Sequence, residues 1–204
     1  MKRVAIIDYG MSNLDSVARA VQECDADPLV TTGPKDLEHA TRIILPGVGV
    51  FDEGMRRLRE QGYEEALNEL VIGRRIPFLG ICLGMQFLAS KGSEGAETSG
   101  LGWIDGEVIR LKPSGADDRL PHVGWNEVVH SGDGLFRGVP NARDFYFVHS
   151  YHLRPVHESD VAARTPYCGG FVSAVRRDLV FGTQFHPEKS QRLGFQVLRN
   201  FLTL

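Results

Sequence analysis

The chain has 204 residues, of which 42% are hydrophobic and 24% charged, a balance typical of globular proteins that bury a sizeable core. We expect one domain covering residues 1–204, although two smaller domains are compatible with this length. The net charge of −3 offers no basic surface for nucleic acid, and no apolar run approaches the roughly 18 residues that span a membrane. Three widely spaced cysteines, Cys24, Cys82 and Cys168, predict no disulfide framework and therefore a reducing, cytoplasmic location.

Strands and helices are expected to alternate in the first part of the chain. Continuous apolar runs predict buried strands at residues 3–8, 28–31, 42–45 and 77–81. Apolar residues at helical spacing predict helices at 14–21 and 51–70, the second broken near Gly62. This alternation is typical of right-handed βαβ units, so we expect these strands to form a parallel sheet.

The pattern changes after residue 90. A segment rich in Gly, Ser and Glu predicts a loop at 91–102, and a polar stretch at 113–119 separates strands expected at 103–111 and 122–130. Further predictions are strands at 145–152, 171–177 and 179–185, the last two as a hairpin, and a helix at 191–204. The predicted fold class is α/β: a single-domain, open, mostly parallel twisted sheet flanked by helices, with an additional antiparallel region.

A cysteine enclosed by glycines follows the fourth predicted strand, in the sequence Gly80-Ile81-Cys82-Leu83-Gly84. The spacing has the physical logic of the Gly-x-Ser-x-Gly nucleophile elbow, in which glycines permit a tight strand-to-helix turn. A helix that begins after the cysteine directs its N-terminal N–H groups at the sulfur and favours a thiolate. The alternative is a buried structural cysteine, because free cysteine is among the most buried residue types.

A histidine and a glutamate two residues apart follow the last predicted strand, at His186-Pro187-Glu188. A thiol nucleophile needs a base, and that base needs an orienting acceptor. Strand C-terminal ends are where open α/β sheets place ligands, so Cys82, His186 and Glu188 are candidates for one site. The alternative is a surface histidine beside a solvated glutamate. The His and Cys spacings are not those of a zinc site, and we expect neither metal nor cofactor.

A glycine-rich turn, Pro46-Gly47-Val48-Gly49, ends the third predicted strand. Such a turn can direct backbone N–H groups at a developing negative charge. An ordinary strand-to-helix turn is an alternative, and so is phosphate binding. The segment lacks the full dinucleotide pattern and the lysine and hydroxyl residue of a P-loop.

The segment from Gly80 to Gln86, taken with His186-Pro187-Glu188, resembles the class I (triad) glutamine amidotransferases. Within that class the chain most resembles the family of glutaminase subunits of imidazole glycerol phosphate synthase, from histidine biosynthesis. The segments that carry this closer resemblance are residues 8–13, 46–49 with Phe51, 122–126, 146–151 and 186–190. The chain departs from the family pattern at Ser12, where glycine is common, and at Ser150, where threonine is frequent.

The resemblance implies a mechanism for the elbow. Cys82 would attack the side-chain carboxamide of glutamine, while His186 transfers the proton and Glu188 orients the imidazole. The N–H groups of Leu83 and Val48 would hold the oxyanion. The family pattern also implies a set of substrate-binding residues: Gly47, Gly49, Gln86, Glu94, Ser150 and Tyr151.

The resemblance also implies a partner. The expected partner is a (βα)8-barrel cyclase subunit, in a heterodimer, that consumes the ammonia. The family positions at or near the interface are Asn13, Trp125, Tyr146 and Lys189. Ordinary core packing is the alternative for the two aromatic residues. A further hypothesis is that the resting Gly47–Val48 peptide points the wrong way until the partner's ligand favours a flip, so that the isolated chain has very low activity.

Three other functions stay open from the sequence. One is a glutaminase for another synthase, such as the anthranilate or aminodeoxychorismate systems. The second is a cysteine hydrolase or esterase built on a related elbow. The third is a non-catalytic regulatory subunit, against which the intact set of Cys82, His186 and Glu188 argues.

Overall fold

The computed structural model describes residues 3–116 and 118–204. Parts of the predicted domain 1–204 and of the predicted polar stretch 113–119, namely Met1, Lys2 and Asp117, lie outside the described residues. The first half contains strands β1 Arg3–Ile6, β2 Asp27–Val30, β3 Arg42–Gly47, β4 Phe78–Cys82, β5 Ala89–Gly92 and β6 Thr98–Ser99, with helices α1 Leu14–Gln22, α2 Phe51–Glu60, α3 Tyr63–Leu67 and α4 Leu83–Gln86. The second half contains β7 Ile104–Arg110, β8 His122–His130, β9 Arg143–His149, β10 Tyr151–Pro155, β11 Val161–Thr165, β12 Phe171–Arg177, β13 Val180–Thr183 and helix α5 Gln191–Leu202.

The larger of two sheets has nine strands within the described residues, in the order β2-β1-β3-β4-β13-β12-β11-β8-β9. The first five strands in this order pair in parallel, as the alternating sequence pattern predicts. The other four pair in antiparallel fashion and continue the same sheet. The fold is therefore α/β, with an antiparallel region that contributes as many pairings to this sheet as the parallel part.

The second sheet has the order β10-β7-β5-β6 in the part of the chain that the structure describes. Two sequence predictions are wrong in detail here. Residues 91–102, expected to be a loop, contribute to β5 and contain β6. The single strand expected at 145–152 is interrupted at Ser150, so that β9 joins the large sheet and β10 joins the small one. Local composition could not reveal either feature, since each depends on pairing with distant strands.

The helices cover the large sheet with the faces that their sequence periodicity predicts. Helix α2 buries Phe51, Met55 and Leu58, which recur at helical spacing, and the predicted break lies at Gly62, whose φ is +74°. Helix α5 buries the apolar stripe that includes Val197 and Phe201. Among residues 3–116 and 118–204, no helix combines the length and apolar character needed to cross a bilayer.

The elbow glycines are required by close packing of α4 against the sheet. A Cβ at Gly84 would lie 1.8 Å from the carbonyl oxygen of Leu45 on β3, and one at Gly80 would lie 2.4 Å from the carbonyl oxygen of Gly84. Both obstructing atoms belong to the backbone and cannot rotate away. The glycines therefore let the short helix start directly beneath the ends of β3 and β4.

We expect Gly84→Ala to lower the free energy of unfolding by roughly 2–3 kcal/mol, because the new methyl group must displace the Leu45 backbone. Urea unfolding followed by circular dichroism measures this change. Gly33→Ala is the matched control, since Gly33 has extended backbone and a Cβ there meets no atom within 4 Å. Equal stability of the two variants would contradict the proposed packing constraint.

Candidate active site

Cys82 is the last residue of β4 and immediately precedes α4. Its φ of +54° and ψ of −109° lie in a region that residues other than glycine rarely adopt. Parallel pairing on both sides holds this conformation, since β4 lies between β3 and β13 and Cys82 is in register with Gly47. Cys82 is only 5% exposed. The structure thus places the thiol at a strained strand-to-helix turn, as the elbow spacing predicts.

His186 and Glu188 follow β13, the strand next to β4. The two side chains are buried, and His186 Nδ1 is 2.8 Å from Glu188 Oε1. The backbone N–H of His186 donates to the carbonyl of Tyr146 at 2.9 Å, which ties the segment to β9. With Nδ1 held by the carboxylate, Nε2 is the ring nitrogen left to exchange a proton with Cys82.

The surroundings of His186 favour its protonated form. Burial alone lowers the pKa of an imidazole, but the charges of Cys82 and Glu188 and the hydrogen bonds to both groups outweigh burial and raise the pKa of His186. The interpretation of His186 as an isolated surface histidine is therefore wrong. The arrangement suits a base that accepts a thiol proton and keeps it while the sulfur is negatively charged.

A cavity of about 160 Å³ opens beside Cys82. The residues that line it are Val48, Gly49, Cys82, Leu83, Gln86, Glu94, Val148, His149, Ser150 and Tyr151. Five of the six residues that the resemblance assigns to substrate binding lie in this lining. Gly47, the sixth, is not part of it and instead packs against the Tyr9 hydroxyl, which would lie 2.4 Å from a Cβ at that position.

Glu94 contributes a half-buried carboxyl to the cavity. Burial raises its pKa, a hydrogen bond from the Phe51 backbone lowers it, and the nearby Asp52 charge raises it again. A carboxylate in partly desolvated surroundings gains from a cationic ligand. The cavity therefore combines a nucleophile with a group that can pair with an ammonium.

The Val48 N–H does not face the cavity in this structure. It donates to the carbonyl of Met11 at 2.9 Å, in the loop between β1 and α1. The oxyanion donor that the resemblance assigns to Val48 is thus engaged elsewhere. Glycines flank this residue, and Gly49 has φ of +111°, so the local backbone has more freedom than an ordinary turn.

Comparison with known proteins agrees with the geometry. The family model described as glutamine amidotransferase class-I matches residues 5–204.

This chain belongs to the class I glutamine amidotransferases.

The chain is 45% identical to imidazole glycerol phosphate synthase subunit HisH 1 of Campylobacter jejuni subsp. jejuni, over 98% of this chain and 100% of that protein. It is 46% identical to imidazole glycerol phosphate synthase subunit HisH of Moorella thermoacetica, over 98% of this chain and 94% of the relative. A crystal structure of a glutamine amidotransferase superposes with a TM-score of 0.75 at 21% identity, covering 98% of this chain and 97% of that one. The resemblance found in the sequence is confirmed, and so is the fold class.

Three of the four residues expected at a partner interface, Trp125, Tyr146 and Lys189, lie close together in this amidotransferase. Trp125 on β8 pairs in register with Tyr146 on β9, and their ring centroids are 5.9 Å apart. Lys189 Nζ lies 6.0 Å from the centroid of the Tyr146 ring. Trp125 is 48% exposed, so core packing is the wrong interpretation of this residue. Asn13 is also exposed, in the β1–α1 loop at the carboxyl ends of the parallel strands.

A chain of buried histidines beside the cavity was missed by sequence reasoning. His122 Nδ1 donates to His149 Nε2 at 3.0 Å, and His149 Nδ1 donates to the carbonyl of Tyr151 at 2.8 Å. Asn126 Nδ2 lies 3.3 Å from His122 Nε2 and supplies the donor that this nitrogen needs. Burial lowers the pKa of His122 to about 4 and that of His149 to about 3. Both rings are therefore neutral. The sequence signal was the presence of two histidines in each of two β-prone segments, 122–130 and 145–152.

Stability should depend on pH through His149. The ring binds its proton near pH 6.5 in the unfolded chain but only near pH 3 in the folded one, so protonation favours unfolding as pH falls below 6.5. We expect protonation of this residue to lower the free energy of unfolding by roughly 2 kcal/mol between pH 7 and pH 5. Urea unfolding at several pH values measures it.

The His149→Asn variant should lack this part of the pH dependence, whatever its stability at neutral pH. His39→Asn, at an exposed position, is the matched control and should keep the slope of the parent chain. If the free energy of unfolding of the His149 variant changes with pH as much as that of the parent chain, the ring is not held neutral.

Proposed function

We propose that this chain is the glutaminase subunit of an imidazole glycerol phosphate synthase and hydrolyses glutamine to glutamate and ammonia for histidine biosynthesis. The observation that carries the proposal is a buried Cys82 at a strained elbow, beside His186 held by Glu188 and next to a small cavity. The near full-length similarity to HisH subunits supports the choice of synthase over the anthranilate and aminodeoxychorismate systems. Belonging to the class I amidotransferases also argues against an esterase.

The reaction begins when the Cys82 sulfur attacks the carboxamide carbon of glutamine and forms a C–S bond. His186 holds the thiol proton and gives it to the leaving nitrogen, so that the C–N bond breaks and ammonia departs. Water then attacks the γ-glutamyl thioester, with His186 accepting its proton, and glutamate leaves as the sulfur is regenerated. The raised pKa of His186 supports its role as the proton carrier.

The cavity supports specific contacts to the amino-acid part of the substrate. Glu94 is placed to pair with the α-ammonium group, and Gln86 has a buried side-chain oxygen without a partner among the described residues. Gly49, Ser150 and Tyr151 contribute further cavity wall. Gly47 lies outside the cavity lining and would contribute through the peptide bond that it forms with Val48. The N–H of Leu83, first residue of α4, is one proposed oxyanion donor.

The Val48 N–H is the second proposed oxyanion donor and is not available in the resting state. Rotation of the Gly47–Val48 peptide would release it from Met11 and direct it at the oxyanion. We propose that binding of the partner and its nucleotide ligand favours this rotation. The isolated chain would then hydrolyse glutamine very slowly, which avoids the loss of ammonia to solvent.

The proposed partner is a (βα)8-barrel cyclase that joins ammonia to phosphoribulosyl-formimino aminoimidazole carboxamide ribonucleotide, giving imidazole glycerol phosphate and an aminoimidazole carboxamide ribonucleotide. The two subunits would form a cytoplasmic heterodimer in which residues 1–204 act as a single amidotransferase domain. The surface with Trp125, Tyr146 and Lys189 is the proposed contact, with Asn13 at its margin. It supports this role because an exposed tryptophan and a tyrosine are typical of interface anchors.

Glutamine hydrolysis should be very slow for the isolated chain and should rise roughly 100-fold or more when the cyclase and its nucleotide substrate are both present, as expected for gain of one oxyanion donor. A coupled glutamate assay measures the rate in each mixture. Vigorous hydrolysis by the isolated chain would contradict the proposed resting state.

Cys82→Ala should abolish glutamine-driven synthesis by the complex while leaving synthesis from added ammonia intact. Cys168→Ser, at a half-buried position outside the cavity, is the matched control and should retain both activities. Loss of ammonia-driven synthesis in the Cys82 variant would indicate a structural cysteine instead of a nucleophile.

Trp125→Ala should weaken cyclase binding by about 2 kcal/mol, close to 30-fold in Kd, since exposed aromatic anchors dominate interface energies. Isothermal titration calorimetry measures the affinity. Ile72→Ala is the matched control because Ile72 is 52% exposed in the segment Asn68–Gly73 that precedes β4, at the opposite end of this strand from Cys82. Equal affinities for both variants would place the interface elsewhere.

A further inference from the structure

Gln184 is a fully buried polar residue that directly contacts the nucleophile. It follows β13, and its side-chain Nε2 donates to Cys82 Sγ at 3.6 Å. Its Oε1 accepts a hydrogen bond from Gln86 Nε2 at 3.1 Å. A buried amide that meets both a sulfur and a second amide is costly unless every contact is satisfied.

Neighbouring groups fix which end of the Gln184 amide faces the sulfur. The backbone carbonyl of Tyr151 can only accept, and it receives a hydrogen bond from Gln86 Nε2 at 2.9 Å. The same nitrogen is 3.1 Å from Gln184 Oε1, so the Gln184 oxygen must face Gln86. The Gln184 NH2 group is thereby directed at Cys82, and a backbone carbonyl determines the orientation of both amides.

The Cys82 sulfur has a different partner for each of its protonation states. A thiol can donate to the carbonyl of Val148, which is 3.8 Å from the sulfur. A thiolate cannot donate; it accepts from the Gln184 NH2 group, which adds to the attraction of protonated His186. Hydrogen bonds to charged acceptors are stronger than those to neutral ones, so the Gln184 contact favours the thiolate.

We propose that Gln184 is a catalytic residue of this amidotransferase, whose side-chain NH2 group stabilises the Cys82 thiolate in an orientation set by Gln86. The role in glutamine hydrolysis rests on the proposed function, whereas the effect on the sulfur does not. Gln184 is not part of the cavity lining. Its removal should therefore lower kcat and leave KM for glutamine within about twofold.

The test uses the full chain carrying Cys24→Ser and Cys168→Ser, so that Cys82 is the only cysteine. The rate of alkylation by iodoacetamide is measured against pH, together with the ultraviolet absorbance of the thiolate. Gln184→Met keeps the approximate side-chain volume and removes the donor. We expect it to raise the pH midpoint of Cys82 alkylation by about one unit and to lower kcat of the complex roughly tenfold.

Gln184→Glu should raise the pH midpoint of Cys82 alkylation further, because a carboxylate beside the sulfur repels the negative charge of the thiolate. Gln196→Met is the matched control, since Gln196 bonds only to Asn200 among the described contacts, within α5. If the Gln184 variants do not fold, Gln86→Met carries the test by releasing the Gln184 amide, and the midpoint should again rise.

An unchanged midpoint in a folded Gln184 variant would overturn the inference, and so would a fall in the midpoint. The proposed function has a separate test: it would be wrong if the parent chain did not hydrolyse glutamine in the presence of the cyclase and its nucleotide substrate. Alkylation needs neither glutamine nor partner, so the two failures are distinguishable.

Discussion

The site depends on one backbone constraint, the strained positive-φ conformation of Cys82 at the end of a strand that is paired on both sides. Parallel pairing of β4 with β3 and β13 holds this residue at φ of +54° and lets α4 begin immediately after it. The same pairing sets the positions of the other groups, because Val48 follows β3 and His186 follows β13. The arrangement of the reactive groups is thus a consequence of strand order, because the carboxyl ends of the adjacent strands β3, β4 and β13 lie at the same edge of the sheet.

Much of this could be predicted from local sequence. Continuous apolar runs identified four of the five parallel strands, and glycine spacing identified the elbow, because each pattern records a short-range steric requirement. The fifth, β13, was predicted only as one strand of a hairpin. Features that depend on distant pairing were out of reach, among them the interruption at Ser150 and the contact between Met11 and Val48. The neutral histidine chain was also hidden, since a sequence does not say whether a histidine will meet a carboxylate or a carbonyl.

Two histidines near the cavity illustrate how surroundings decide charge. His186 meets Glu188 and its protonated form is favoured. Burial keeps His149 uncharged, although its hydrogen bond to the Tyr151 carbonyl acts in the opposite direction. The positive charge of His186 itself contributes to lowering the pKa of His149. A neutral His149 in turn spares His186 a repulsive neighbour, so that the proton resides on the ring that can deliver it to a leaving group.

Strand β9 contacts both the aromatic surface with Trp125 and the Cys82 sulfur. Its Tyr146 side chain is on the exposed aromatic surface, while the Tyr146 carbonyl anchors the His186 backbone and the Val148 carbonyl meets the nucleophile. The Tyr146 ring and the carbonyl that contacts the Cys82 sulfur are therefore only two residues apart on the edge strand of the large sheet.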